Sequence, residues 1–212
     1  MRKIRNEKDL KEGVTALVKS CARLARVHAF AGDPPLRRPS GFKGLARVVT
    51  AQQLSVASAE AIWRRLEAAI EIFTPSRFLC VSESDLRAAG LSKVKIATLR
   101  GLAKAIDTGS LDLDALSQEP EDVIHAKLSA LKGIGPWTAD IYILFCLARA
   151  NAWPPGDLAL QVAVKDAFEL EARPNQDVMM ELAEAWRPWR AVAARMLWAY
   201  YSARRKTSAL PV

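Results

Sequence analysis

Residues 131–161, LKGIGPWTADIYILFCLARANAWPPGDLALQ, form the stretch that decides the fold of this chain. Gly133 and Gly135 are separated by one residue and followed at once by a proline, which suits the first turn of a helix. The apolar segment Trp137–Arg149 predicts a helix buried in the centre of a helical bundle. A Pro/Gly break then precedes a single carboxylate, Asp157, at the start of another predicted helix.

The Gly-x-Gly turn has two interpretations from its residues alone. Gly133 and Gly135 permit a positive φ and the close approach of another backbone. Amide N–H groups at the start of the next helix then offer a site for a phosphate oxygen. The alternative is a plain turn between two helices, with glycine required only because the turn is tight. Gly-x-Gly by itself favours this alternative.

The acidic residues of the stretch also allow two interpretations each. Asp157 stands where an N-cap belongs, and such a cap contributes roughly 1 kcal/mol. A functional aspartate at this position would differ by facing a cleft beside the hairpin. Asp140 is interpreted as a paired or partly exposed acid that the helix dipole favours. A second catalytic acid is the alternative for Asp140.

The rest of the chain shows hydrophobic spacing typical of helices. Predicted helices cover residues 7–28, 41–50, 56–72, 75–80, 83–89, 92–106, 110–116, 120–131, 157–170, 175–186 and 188–205. Ser55 is the expected N-cap of the helix that begins at Val56. Residues 32–41 form a predicted connector, and residues 206–212 a frayed end. No sheet can be assembled from the remainder, so the predicted fold class is all-α.

The composition limits the partners of the protein. The 212 residues carry a net charge of +8, with a sequence pI of about 9.6, which makes nucleic acid the leading partner and an anionic membrane surface the second. Three widely spaced cysteines, Cys21, Cys80 and Cys146, predict neither a disulfide framework nor a zinc site. This cysteine usage indicates a reduced intracellular compartment. No predicted helix is apolar for long enough to cross a bilayer, and the N-terminus lacks the apolar region of a secretory signal.

Two further features lie outside the opening stretch. In the last predicted helix the expected core face carries Trp189, Val192, Ala193, Met196 and Tyr200. Trp198 and Arg195 project from roughly the opposite side, where a tryptophan either meets a second buried surface or lines a pocket. The adjacent glutamines Gln52 and Gln53 end an apolar helix, and the residues alone favour a polar turn there.

Together these motifs resemble the helix-hairpin-helix (HhH-GPD) DNA glycosylase superfamily, and within it the 3-methyladenine DNA glycosylase II, or AlkA-like, branch. The resemblance covers residues 40–205 in the order of the family. It rests on the segments AQQLS (51–55), GLSKVK (90–95), LKGIGPWTA (131–139), PGDLALQ (155–161), WRPWR (186–190) and LW (197–198).

The resemblance implies a role for each matching residue. Asp157 matches the catalytic aspartate, and Gln53 matches the side chain that wedges into the duplex where the base leaves. The implied base-pocket positions are Trp137, Trp198 and Ile141, the last standing where the branch has a tyrosine. The predicted DNA-binding residues are Gln53, Ser55, Gly133, Ile134 and Gly135, together with Lys93, Lys132 and Arg190, which are proposed for their positive charge alone. Lys95 is a further candidate on the same ground, and ordinary surface charge is the alternative for each basic side chain.

The resemblance also implies cofactors and domain organisation. Backbone carbonyls of Ser129, Leu131 and Ile134 would hold a Na⁺ or K⁺ ion at the hairpin, and no other cofactor is required. The absence of any cysteine after Cys146 predicts that there is no iron–sulfur cluster. Residues 1–212 are expected to form one compact, two-lobed unit, with residues 41–149 in a central lobe and residues 1–40 plus 150–212 in the second.

The implied function is base excision repair of damaged double-stranded DNA. Lyase members carry a nucleophilic lysine where this chain has Trp137, so a monofunctional enzyme of the 3-methyladenine glycosylase II type is expected. Its expected substrates are alkylated purines such as 3-methyladenine and 7-methylguanine. The alternatives are a non-catalytic DNA-binding module and a glycosylase for deaminated or oxidised bases. We expect a monomer, without membrane partners, in the cytoplasm near the nucleoid of a bacterium or in the nucleus of a eukaryote.

Overall fold

The computed structural model describes residues 2–36 and 40–206 and confirms the all-α prediction. Within these residues it contains thirteen α-helices, a π-helical turn and no strand. The helices are α1 Glu7–Ser20, α2 Ala22–Ala31, α3 Gly41–Ala51, α4 Val56–Ala69, α5 Pro75–Cys80, α6 Glu83–Ala88, α7 Lys93–Asp107, α8 Leu113–Leu116, α9 Glu121–Ser129, α10 Pro136–Ile141, α11 Leu158–Phe168, α12 Gln176–Glu184 and α13 Arg190–Arg205.

Side-chain caps explain where most of these helices begin. Ser55 accepts the amide N–H of Ser58 at the start of α4, as predicted. Asn175 does the same for Val178 at the start of α12. Each cap satisfies one of the amide donors that the first turn of a helix leaves without an internal partner. The sequence therefore determines these helix starts locally.

Two predicted helices are wrong in their extent. The helix predicted over residues 7–28 is interrupted at Cys21, whose φ of −138° and ψ of 107° are extended. The helix predicted over Trp137–Arg149 leaves regular geometry at Ile141 and continues as the π-turn Tyr142–Cys146. Beyond the turn, the N–H of Ile4 donates to the carbonyl of Ala148 at 2.8 Å. Ala148 has a left-handed φ of 55°, and Arg149 forms a β-bridge with Lys3, so the chain has left the helix that local periodicity favours.

The chain divides into two compact units. The terminal unit comprises residues 2–36 and 147–206, and the central unit comprises residues 40–146. Residues 147–149 lie in the terminal unit, whereas the prediction assigned them to the central lobe, because Arg149 forms a β-bridge with Lys3. The predicted connector and the predicted frayed end lie partly outside the described residues.

Each unit has its own apolar core. In the terminal unit, α13 packs against α1, α2 and α11 and is buried on all sides from Arg190 to Trp198. In the central unit, α3 packs against α4, α7, α10 and the π-turn. The central core includes a group of aromatic rings formed by Phe42, Trp63, Phe73 and Phe78. None of the helices described here has the length and hydropathy needed to span a bilayer.

A glycine in α1 permits close packing of the terminal unit. A Cβ added to Gly13 would lie 2.6 Å from Cγ2 of Val192 and 2.8 Å from Cε3 of Trp189. Gly13→Ala should therefore overpack α1 against α13 and lower the free energy of unfolding by about 1–3 kcal/mol. Thermal unfolding followed by circular dichroism measures the effect.

Gly101→Ala is the matched control for this substitution. Gly101 lies within α7, and its added Cβ would meet nothing within 4 Å. Alanine is the better helix former, so this variant should gain about 0.5–1 kcal/mol. Equal midpoints for Gly13→Ala and the wild type would contradict the close α1–α13 packing.

Candidate active site

Asp157, in the terminal unit, is buried and held by two N–H donors. It is the N-cap of α11, where its Oδ1 accepts the amide N–H of Leu160 at 2.9 Å. The same oxygen accepts the indole N–H of Trp198 at 3.0 Å. Only 6% of Asp157 is exposed. The cap interpretation of Asp157 is thus confirmed, but the buried indole donor is an addition that a simple surface cap does not need.

The loop before Asp157 is fixed by contacts of its own. The indole N–H of Trp153 donates to the carbonyl of Met179 at 3.1 Å, and its ring lies edge-on to Trp186 with centroids 5.2 Å apart. The buried amide of Gln161 donates to the carbonyl of Pro155 at 2.9 Å. These contacts limit the freedom of the short Pro/Gly segment, so the carboxylate that follows it has a defined position.

Trp198 provides the contact that sequence analysis missed. The structure shows Trp198 fully buried, on a stretch of α13 that is buried on all sides, so no separate core face exists there. Its indole N–H reaches Asp157, which is 41 residues away in the sequence. Because the Trp198 ring is completely buried, neither of its faces is open to a base. The geometry therefore favours a role for Trp198 in orienting Asp157 over a role in binding the base directly. Arg195 is also fully buried.

The Gly-x-Gly turn, in the central unit, joins α9 to α10. Gly133 has a φ of +84°, and a Cβ there would collide with the side chain of Thr98 on α7. Gly135 has a φ of −91° and is the N-cap of α10, so the positive φ that glycine permits is adopted at Gly133 and not at Gly135. A Cβ on Gly135 would meet nothing within 4 Å. The two glycines therefore serve different purposes: Gly133 is required by the fold, and Gly135 leaves its exposed backbone uncovered.

The turn Ala51–Ser55 is tied to this hairpin. The side-chain amide of Gln52 donates to the carbonyl of Gly133 at 3.0 Å and to Oγ1 of Thr138 at 2.8 Å. Gln53, next in sequence, is exposed and has a left-handed φ of 56°. The polar turn expected from the residues is present, but the sequence offered no sign that it contacts the hairpin 81 residues away.

The basic residues proposed for DNA binding differ in their surroundings. Lys93 and Lys132 are exposed. Lys95 donates to the carbonyls of Thr50 and Gln52, both at 2.8 Å, and burial lowers the pKa of its ammonium group. Arg190 is buried, with Nε donating to the carbonyl of Asn151 at 2.8 Å and Nη1 3.3 Å from Glu184. Lys95 and Arg190 thus have structural contacts, which removes the basis for assigning them to DNA.

The remaining predicted positions are found in both units. Ile141 is fully buried and Trp137 is half-buried, both in the central unit. The side chain of Ile134 is buried, which leaves its backbone as the part that could bind a ligand. Ser55 is exposed beside Gln53, where its hydroxyl caps α4. Asp140 pairs with His125 on α9, with Oδ1 and Nε2 3.5 Å apart, in agreement with its interpretation as a paired acid.

The predicted cation position has one supporting feature. The hydroxyl oxygen of Ser129 is buried and has no hydrogen-bond partner in the structure. The carbonyl of Leu131 accepts the N–H of Ile134 at 3.0 Å and retains a second lone pair. An oxygen-rich turn of this kind suits a hard cation. Among the described residues, no group of three or more His, Cys, Asp or Glu is placed to hold a metal ion.

Comparison with known proteins shows the family of the chain. A family model described as HhH-GPD superfamily base excision DNA repair protein matches residues 46–188. The Bacillus subtilis protein YfjP is 35% identical over 114 residues, which cover 54% of this chain and 40% of YfjP. The chain thus spans less than half the length of that relative.

Two solved structures share the fold over nearly their whole length. DNA-3-methyladenine glycosidase from Bacillus halodurans has a TM-score of 0.76 at 28% identity, with 100% of this chain and 97% of that chain covered. Schizosaccharomyces pombe 3-methyladenine DNA glycosylase (Mag1), solved in complex with abasic DNA, has a TM-score of 0.81 at 24% identity, with 90% and 95% covered. The second likeness, at this identity, concerns the fold alone.

Proposed function

The chain belongs to the HhH-GPD superfamily of base excision DNA repair proteins, and from this membership we propose that it is a DNA glycosylase that releases alkylated purines. The observation that carries the proposal is Asp157, a buried carboxylate held by the N–H groups of Leu160 and Trp198. The similarity to the glycosidase from Bacillus halodurans, at 28% identity over the full chain, supports the substrate class.

The proposed reaction begins with extrusion of the damaged nucleotide. A base inside the duplex stack cannot be reached, so it must flip out at a cost of a few kcal/mol. Gln53 is exposed on a left-handed turn, and its side chain would fill the gap that the base leaves. The hairpin would contact the DNA backbone through the uncovered amides near Gly135, and Lys93 and Lys132 would add salt-dependent affinity.

Asp157 would then act on the sugar. Breaking the N-glycosidic bond builds positive charge on the sugar ring, and an ionised carboxylate stabilises that charge. Alkylation at N3 or N7 gives the purine a positive charge, so the base leaves as a neutral molecule without a general acid to protonate it. A water molecule then adds to the anomeric carbon of the sugar and loses a proton, to Asp157 or to solvent, which gives the abasic site. One carboxylate is therefore enough. The resemblance implies that Trp137 is a base-pocket residue, and an aromatic ring in contact with a desolvated cationic base contributes about 2 kcal/mol.

The hairpin cation remains part of this proposal. A Na⁺ or K⁺ ion would be held by the carbonyls of Ser129, Leu131 and Ile134, with the buried hydroxyl of Ser129 as a further oxygen. When bound, it supplies positive charge at the turn that contacts the DNA backbone. The residues of the chain would carry out base release without any other cofactor.

The first prediction concerns Asp157 and the substrate class. Asp157→Asn keeps an oxygen that can accept the N–H groups of Leu160 and Trp198, so folding should be unchanged. The variant loses the negative charge, and release of the alkylated base should fall roughly 100-fold or more. The measurement is base release from a panel of duplexes that each hold one alkylated, deaminated or oxidised base, with thermal unfolding in parallel.

Asp112→Asn is the matched control for the charge change. Asp112 is an exposed N-cap aspartate of α8 that accepts the N–H groups of Asp114 and Ala115, both at 2.9 Å. Its variant should retain wild-type release. A wild-type protein that binds DNA but releases none of the panel would support the alternative, a non-catalytic DNA-binding module. Release of only deaminated or oxidised bases would show that the substrate class is wrong.

The second prediction separates the two hairpin glycines. Gly135→Ala should fold normally, since φ is −91° and the space is open, but its methyl group would cover the exposed backbone and weaken DNA binding. Gly133→Ala should lose about 1–3 kcal/mol of stability through its φ of +84°. Fluorescence anisotropy with a labelled duplex and thermal unfolding measure the two effects. Normal DNA binding by Gly135→Ala would argue against a backbone contact at this turn.

The third prediction concerns the chemistry after base release. We propose a monofunctional enzyme, because the chain has Trp137 at the position where, by the resemblance, lyase members carry a nucleophilic lysine. The product should then be an intact, alkali-labile abasic site. Borohydride added during turnover should trap no covalent protein–DNA adduct, with a known glycosylase/lyase as the positive control. A trapped adduct would refute this part of the proposal.

A further inference from the structure

The side-chain amide of Gln52 links the turn that carries Gln53 to the Gly133–Gly135 hairpin, and the proposed function gives these two parts of the central unit separate roles. We propose that Gln52 is a positioning residue, which holds the turn bearing Gln53 against the hairpin so that the two engage DNA as one rigid element. This inference rests on the proposed function and assigns a role to a residue next to the wedge. Gln52 itself would contact neither the base nor the sugar.

Both hydrogens of the Gln52 amide have an acceptor on the hairpin side. One acceptor is the carbonyl of Gly133 at 3.0 Å, and the other is Oγ1 of Thr138, in the first turn of α10, at 2.8 Å. Thr138 is 1% exposed, so its hydroxyl depends on protein partners. The contact therefore spans the hairpin from the glycine of the turn to the helix that follows it.

The backbone of the same turn is held from the other side by α7. The ammonium group of Lys95 donates to the carbonyls of Thr50 and Gln52, which lie at the C-terminal end of α3 and lack partners inside the helix. One turn further along α7, Thr98 is the side chain that a Cβ on Gly133 would strike. The helix α7 thus supports both the turn and the hairpin, and Gln52 connects them directly.

The conformation of Gln53 explains why such support is needed. A non-glycine residue with a left-handed φ, here 56°, costs roughly 1 kcal/mol and persists only where its neighbours impose it. Gln53 is exposed and Leu54 is 40% exposed, so the turn has little packing of its own. The contacts of Gln52 and Lys95 supply the restraint. Without the Gln52 amide, the Gln53 side chain would sample many directions and enter the duplex less often.

A double-mutant cycle tests this role. Release of one alkylated base is measured for Gln52→Ala, Gln53→Ala and the double variant. Each variant is tested on two duplexes: in one the alkylated base has its normal pairing partner, and in the other it lies opposite an abasic-site analogue. Flipping costs least where pairing is absent. Each single variant should lose roughly tenfold on the paired duplex and little on the unpaired one. The double variant should match Gln53→Ala, because a wedge that has been removed cannot be positioned.

A merely structural role predicts a different outcome. If Gln52 only stabilises the fold, the losses multiply in the double variant and appear on both substrates. Either result overturns the inference. Gln118→Ala is the matched control, since Gln118 is an exposed glutamine of the same unit that donates to Ser117 at 2.7 Å. Thermal unfolding shows whether any variant has lost its fold.

Substitutions at Thr138 keep the test decisive if Gln52→Ala folds poorly. Thr138→Ser retains the hydroxyl that accepts from Gln52 and should behave as the wild type. Thr138→Val keeps the shape and removes the acceptor, so it should reproduce part of the loss on the paired duplex. Equal activity of the serine and valine variants would show that the hydrogen bond does not position the wedge.

A readout that needs no catalysis separates failure of the inference from failure of the proposed function. The fluorescence of 2-aminopurine placed beside an abasic-site analogue should increase when the Gln53 side chain enters the duplex and disturbs base stacking. Gln52→Ala should reduce this increase in fluorescence, as Gln53→Ala does. If this coupling holds but no base is released, the proposed function is wrong and the inference stands. If base is released but the two variants act independently, the proposed function stands and the inference fails.

Discussion

The Oδ1 atom of Asp157 accepts two N–H groups, and the arrangement of the terminal unit depends on this shared contact. One donor is the amide of Leu160, and the other is the indole of Trp198. A buried carboxylate is stable only when it is hydrogen-bonded, so the chain must bring both donors to it. The contact therefore determines where α11 starts and how α13 lies against it. A carboxylate held in this way needs no reorganisation when charge develops beside it, which is the condition for electrostatic catalysis.

The central unit is organised by contacts to its own backbone. Gly133 permits the close approach of Thr98, Gln52 donates to the Gly133 carbonyl, and Lys95 donates to the carbonyls that end α3. These polar contacts specify geometry where apolar packing alone would tolerate small shifts. They also show that net charge is a poor guide to the role of one residue. Lys93 and Lys132 are exposed and available to a polyanion, whereas the neighbouring Lys95 is used within the fold.

Local signals predicted most of the secondary structure. The all-α class, the caps at Ser55 and Asp157 and the order of the helices follow from hydrophobic spacing and from side chains within three residues of each helix start. The errors lie where tertiary contacts override local preference. Cys21 is extended between two helices, and the apolar helix after the hairpin ends in a π-turn, beyond which the chain pairs with the N-terminal segment. The hydrophobic periodicity of a short sequence window contains no information about a segment that is more than 140 residues away, such as the one containing Ile4.

The sequence by itself determined the helical fold, the hairpin with its glycines, the position of Asp157 at the start of a helix and, through its motifs, the family. Only the tertiary structure decided what each functional candidate touches. It placed the indole of Trp198 on Asp157, removed Arg190 from the exposed cations and joined Gln52 to the hairpin. The physical reason is one of range. Helices and caps depend on residues within one turn of each other, whereas a hydrogen bond between side chains 41 or 81 positions apart depends on how whole helices pack.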